Sequence, residues 1–203
     1  MGPVLAMRWR ALLLLTGLAA CASGAAVDPR SVLTRETLDA SPTPILLAEL
    51  PELETAATLA PVAARDGVVH WQTADGVRIS LRDGVAVATR GTGFDLMSAD
   101  VEGSRRAALG AGAAGYYPRF HTYLDGEDQI AFVTLQCRVT GRTAETLDLI
   151  GLGVATIRTD ERCHLPDRSF DNAYWRRADG TVVKARQWIG DGAGYLLTER
   201  LTR

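Results

Sequence analysis

Leu18-Ala19-Ala20-Cys21 is the stretch whose residue types and order most directly imply chemistry. The small side chains of Ala19 and Ala20 suit a signal peptidase, which needs an extended segment without bulk near its cut. A cysteine straight after Leu-Ala-Ala reads as a bacterial lipobox. The thiol takes a diacylglycerol, the peptide is cut before it, and the new amino group is acylated. Arg8 and Arg10 supply the positive region that precedes such a site, and Ala11 to Gly17 the short apolar one. That apolar run is about half of the roughly 20 residues a membrane span needs, which argues against a transmembrane anchor. Plain secretion with an incidental Cys21 is the other rival. One acyl chain holds a protein marginally and two or more hold it stably, so lipidation at Cys21 predicts firm membrane attachment. Ala22 follows, where Asp in many Gram-negative bacteria retains a lipoprotein in the inner membrane. The expected location is therefore the outer membrane, facing the periplasm.

Cys137 and Cys163 remain, an even pair in an oxidising compartment. A disulfide between them is the favoured reading, and two buried thiols the alternative. A bridge closing that loop would contribute roughly 3.5 kcal/mol on the loop-entropy estimate. Other reactive patterns are weak. His70, His121 and His164 fall in no zinc-ligand spacing, so no metal is expected. Gly110, Gly112 and Gly115 match a dinucleotide fingerprint as a string. Tyr116-Tyr117-Pro118 follows at once and opposes the helix that the fingerprint must open. No cofactor is expected, and no G-x-S-x-G elbow marks a serine hydrolase. Asp125-Gly126-Glu127-Asp128 is too short for an EF-hand loop and reads as a solvated turn. Aromatic residues gather in the second half, where Tyr174, Trp175 and Trp188 stand near Arg186 and Gln187. Core packing is the ordinary role of such rings. A glycan or partner contact is the functional one, because a ring offers a flat apolar face.

The chain has 203 residues, 47% hydrophobic and 23% charged, enough for one packed domain. Its 22 basic and 24 acidic side chains are scattered, so no nucleic-acid surface is expected. Removing residues 1–20 takes Arg8 and Arg10 away and leaves 20 basic against 24 acidic, a net charge of −4.

Strands must position these residues. Asp28-Pro29 has the chemistry of a helix start and predicts a short helix over about 30–39, ended by Ser41-Pro42-Thr43-Pro44. Beyond it, Asp-Gly occurs at 66, 75, 83, 125, 179 and 191, a dipeptide that tolerates the positive φ angles of a type I′ hairpin turn. Val77, Ile79 and Leu81 alternate with Arg78, Ser80 and Arg82, as a half-buried strand should. Later strands are expected at 130–139, 145–158, 181–189 and 194–201. Segment 98–115 reads as a short helix or a loop. The pattern predicts a mainly β fold: an antiparallel barrel-like or curled sheet with a short N-terminal helix. The expected division is a leader over 1–20, a tether over 21–28 and a single β domain over 29–203.

Two stretches carry a family resemblance: Val87-Ala88-Thr89-Arg90-Gly91-Thr92-Gly93-Phe94-Asp95-Leu96, and Phe170-Asp171-Asn172-Ala173-Tyr174-Trp175 with Asp179-Gly180 and Ala185-Arg186-Gln187-Trp188-Ile189. With the lipobox they resemble the YjbF/GfcB family of group 4 capsule polysaccharide lipoproteins. The resemblance implies an outer-membrane lipoprotein with a mainly β domain, and a role in making or exporting capsule or exopolysaccharide. It brings no catalytic residue. The expected role is a non-enzymatic accessory factor whose partners are the membrane, the polysaccharide or export proteins. The rivals are a periplasmic glycan-acting enzyme, which needs a carboxylate pair or a Tyr/His/Arg cleft, and a lipid or lipoprotein carrier with a half-barrel cavity.

Overall fold

The computed structural model describes residues 28–111, 115–127 and 129–202. The expected leader, Cys21 and the tether up to residue 27 lie outside the described residues. Twelve strands follow one another: β1 (Leu46–Leu50), β2 (Thr55–Arg65), β3 (Val68–Gln72), β4 (Arg78–Arg82), β5 (Val85–Arg90), β6 (Ser98–Asp100), β7 (Tyr117–Leu124), β8 (Ile130–Asp148), β9 (Gly153–His164), β10 (Ser169–Arg176), β11 (Val182–Gly190) and β12 (Gly194–Arg200). The sheet order is β5-β4-β3-β2-β1-β12-β11-β10-β9-β8-β7-β6. This is a meander whose first and last strands pair, antiparallel like the rest, leaving one seam between β5 and β6. The nearly closed antiparallel barrel follows from the mainly β pattern. Beside the seam Thr89 N–H of β5 donates to Leu96 O, and Met97 N–H donates to Thr122 O of β7, so the β5–β6 loop bonds to both flanking strands.

An up-and-down meander sorts its turns by end. Turns 51–54, 73–77, 91–97, 125–129, 165–168 and 191–193 share one end of the barrel. The opposite end carries turns 66–67, 83–84, 149–152 and 177–181, together with the chain joining β6 to β7. Asp66-Gly67 and Asp83-Gly84 have positive φ at both residues, as type I′ hairpins require. The other Asp-Gly pairs do not share that geometry. At Asp125 the carboxylate instead accepts the N–H groups of Glu127 and Gln129.

Three expectations change. The single helix over 30–39 is two short ones, α1 (Pro29–Val32) and α2 (Arg35–Asp39). Leu33 is extended, and Thr34 restarts the helix by exchanging hydrogen bonds with Thr37. Arg35 then ties α2 to the barrel through Leu149 O and Leu201 O. The strands expected at 130–139 and 145–158 are one long β8, bulged between Val139 and Gly141, followed by β9. The chain reverses at Leu149–Leu152, where Ile150 and Gly151 are left-handed and the Asp148 carboxylate accepts Gly151 N–H. Segment 98–115 holds β6 and then α3 (Glu102–Ala108), whose Ala107 and Ala108 are wholly buried.

The main core lies between the β1–β4 wall and the facing residues Leu96, Ile189 and Leu196. Alternation behaves as expected in β4, where Ile79 and Leu81 are buried. It is inverted in β7. There Arg119 and His121 point inward, while Phe120 and Leu124 are exposed beside Ile130 and Phe132 of β8.

Candidate functional site

Successive inward positions of β7 are Tyr117, Arg119, His121 and Tyr123, and β9 and β10 oppose them with Glu161, Asn172 and Tyr174. The side chains form one hydrogen-bonded chain. Tyr117 Oη and Asn172 Nδ2 donate to the two Glu161 carboxylate oxygens at 2.8 and 2.7 Å. Tyr174 Oη donates to Glu161 Oε2 at 3.1 Å and receives Arg119 Nη1–H at 3.2 Å. Arg119 Nε–H donates to His121 Nε2 at 2.8 Å, so the neutral ring carries its proton on Nδ1 and gives it to Tyr123 Oη at 2.6 Å. Tyr123 Oη–H in turn donates to Ile189 O at 2.7 Å. Burial, and then the Arg119 guanidinium, hold His121 well below the usual imidazole value. Burial and the neighbouring Glu161 carboxylate raise both Tyr117 and Tyr174, so both phenols stay protonated as donors.

Arg119, His121, Glu161 and Tyr174 are each at most 1% exposed. Arg119 and Glu161 form an ion pair at 3.8 Å that is reached only through other side chains. A buried pair is costly unless its remaining lone pairs and protons are satisfied. Here phenol, amide and imidazole groups engage both Glu161 oxygens and the Nε and Nη1 of Arg119, while Arg119 Nη2 has no partner among the described residues. The chemistry of this cluster is that of a sealed polar brace.

Cys137 and Cys163 face each other across β8 and β9, joined as a disulfide directly against this brace. Glu161 lies close to both sulfurs. A disulfide offers no thiolate to a metal, so this group holds no ligand set.

The brace ends at a cavity. Tyr123, whose phenol closes the inner chain, also lines an open space of about 570 Å³ at the barrel end that carries turns 91–97, 125–129, 165–168 and 191–193. Phe94, Arg168, Trp188 and Asp191 line it as well. Phe94 is 55% exposed, yet its position is fixed from below. The Asp95 carboxylate accepts Gly91 N–H, Thr92 N–H and the hydroxyls of Thr92 and Thr89, while Leu96 plugs the core. Burial alone would raise Asp95, but these hydrogen bonds outweigh it and hold the carboxyl below its usual value. Gly192 lies under the Phe94 ring, and a Cβ there would come within 2.2 Å of Cδ1. A Cβ on Gly190, whose φ is +149°, would likewise meet the Tyr123 ring at 2.9 Å. Arg168 pairs with Asp191 at 2.6 Å.

The five candidate contact residues separate into different settings. Tyr174 is inside the brace. Gln187 is fully buried, accepting Ala86 N–H and donating to Gly84 O, and so pins β5 from within. Trp188 stacks near-parallel with Phe170 and His121, with ring centroids 4.0 and 5.8 Å away, and it lines the cavity. Trp175 and Arg186 belong to the outer wall. Lys184 and Arg158 cover Trp175, its Nε1–H donates to Glu145, and Arg186 lies over Tyr195. Tyr174 and Gln187 therefore present no surface to a polymer. Reading the sequence missed Arg119, Glu161, Asn172 and Phe94 as site residues. The period-two run Tyr117, Arg119, His121, Tyr123 was the available signal for the first of these.

A family model described as group 4 capsule polysaccharide lipoprotein gfcB, YjbF matches residues 15–201. Comparison with curated proteins finds no match. Among solved structures, the chain is similar to the crystal structure of the hypothetical lipoprotein YmcC from Escherichia coli (K12), with a TM-score of 0.73 and 18% identity. The likeness covers 84% of this chain and 89% of that one, and it shows a shared fold. The two stretches quoted for the resemblance meet at the cavity, the first through Gly93, Phe94 and Asp95 and the second through Trp188.

Proposed function

Because this chain belongs to the group 4 capsule polysaccharide lipoprotein family, we propose that it is an outer-membrane lipoprotein, anchored through Cys21, that assists capsule or exopolysaccharide production or export without chemistry of its own. The observation that carries the reading is the meeting of both motif stretches at one open cavity, with Arg119, His121, Glu161 and Tyr174 buried behind it. A Tyr/His/Arg/Glu group does exist, as a glycan-acting enzyme would need. Its members Arg119, His121, Glu161 and Tyr174 bond to each other and are each at most 1% exposed, which supports a bracing role over a catalytic one. A protein partner in export would find a ready apolar surface on the outer face of β7 and β8, where Phe132 is 77% exposed beside Ile130.

The test measures cell-bound and released polysaccharide in a deletion strain, complemented with the wild type or with Cys21→Ser. Loss of polymer on deletion, restored by the wild type alone, is the expected result. Unchanged polymer in every strain under producing conditions overturns the reading.

A further inference from the structure

We infer that the cavity over Phe94 is a saccharide subsite and that it takes uncharged sugar residues, neutral or N-acetylated, in preference to uronate or other acidic ones. The inference rests on the polysaccharide reading above and adds the class of sugar and the residue that receives it.

The first ground is Phe94 itself. A half-exposed phenylalanine is ordinary when it hangs from a loose loop, but this one is held from beneath. Four donors lock the Asp95 carboxylate beneath the turn, and Gly192 leaves the ring a backbone surface to lie on. One edge of the ring's surroundings is thus filled and the rest is open to the cavity. A flat apolar ring held in place beside polar groups is what stacking on the C–H face of a pyranose requires. Trp188 cannot serve, because it is only 5% exposed and already stacks on Phe170. The volume, about 570 Å³, is in the range of small-molecule sites.

The second ground is charge. Asp95, Asp125 and Asp191 line the cavity against one cation, Arg168, which Asp191 already engages. Asp95 is spent on its turn, while Asp125 and Asp191 keep oxygen atoms free to accept sugar hydroxyls. A sugar carboxylate would meet these groups as a like charge, with one lining guanidinium among the described residues to receive it, and that one already paired through Nη2 to Asp191. Hydroxyl and amide donors meet acceptors instead.

The experiment uses the full mature protein and surface polysaccharide from the producing strain, cut to short oligosaccharides and divided by anion exchange into uncharged and acidic fractions. Binding is read by tryptophan fluorescence and by calorimetry. The uncharged fraction should bind with little dependence on salt, and the acidic fraction should bind at least tenfold more weakly. Phe94→Ala should abolish binding. Gly192→Ala gives an independent variant, since its new methyl group must push the Phe94 ring aside while Gly192 itself needs no left-handed backbone. It should lose binding too, with the fold intact by circular dichroism. Stronger binding of the acidic fraction, binding by neither fraction, or full binding by both variants overturns the inference. The polymer assay on the deletion strain remains separate. Polymer lost on deletion with no oligosaccharide bound sinks the subsite and leaves the accessory role standing.

Discussion

Arg119 and Phe94 are each placed against the usual grain of a β-barrel, one a charge inside and the other an aromatic ring outside, and they are held in opposite ways. The Arg119 guanidinium is committed to His121, Tyr174 and the Glu161 carboxylate, all of them buried. Phe94 is supported from beneath and committed to nothing above. A group whose partners are all internal stabilises the fold. A group that is rigid yet unpartnered spends its fixed position on something else, and the comparison predicts that substitutions in the two regions separate stability from function.

The largest effect is expected in the brace. Glu161→Gln leaves the Arg119 charge buried and uncompensated, which costs about 3–5 kcal/mol. Urea unfolding of the purified protein measures it, and a loss below about 1 kcal/mol would mean that the cluster is not the brace described. Next comes the disulfide. Replacing both Cys137 and Cys163 by Ala should cost about 2–4 kcal/mol. Reduction of the wild type should lower its unfolding free energy by a similar amount, and leave that of the double variant where it was.

A smaller and pH-dependent effect belongs to His121. Its folded pKa lies well below its unfolded value of about 6.5, so below that pH the unfolded chain takes up a proton that the folded one refuses. Stability is therefore full above about pH 6.5 and falls by up to about 1.4 kcal/mol per pH unit on acidification, until the folded imidazole also protonates. His121→Gln keeps an acceptor for Arg119 and removes the titration. Its stability profile between about pH 6.5 and pH 5 should be flatter than that of the wild type. An unchanged slope would place the titrating group elsewhere.

The contrast also explains what the sequence makes legible. Ile79 and Leu81 alternate with polar neighbours and face the core, as hydrophobic periodicity dictates. In β7 the same rule points the wrong way, since Phe120 and Leu124 are the apolar positions and both face outward. Only the pairing of Arg119 with Glu161, brought across from β9, makes an inward arginine tolerable, and no local window of sequence contains both. The reversal at 149–152 is hidden for a related reason. Leu149-Ile150-Gly151-Leu152 contains no Asp-Gly pair, and a side-chain acceptor at Asp148 supplies what that dipeptide does elsewhere. Trp188 and the Thr92-Gly93-Phe94-Asp95 stretch stand out in the sequence as separate strings, but only closure of the barrel puts them at one cavity.

The smallest effect on stability is the one that tests the comparison most sharply. Phe94 and Leu96 share a loop and differ by two positions. Leu96 is wholly buried among Ile189, Leu196 and the β1–β4 wall, so Leu96→Ala should cost about 2–5 kcal/mol by lost burial and the cavity left behind. Phe94→Ala removes a ring already half in water and leaves the Asp95 turn in place, and it should change stability by less than about 1 kcal/mol. Thermal unfolding of the two variants, run beside polymer yield in complemented deletion strains, sets the values against each other. If Phe94→Ala unfolds like Leu96→Ala, the ring is part of the core and its exposure has no functional meaning. If it folds like the wild type and polymer still falls, the ring is held out at the barrel mouth for a ligand, and the sealed brace behind it is what keeps that mouth rigid.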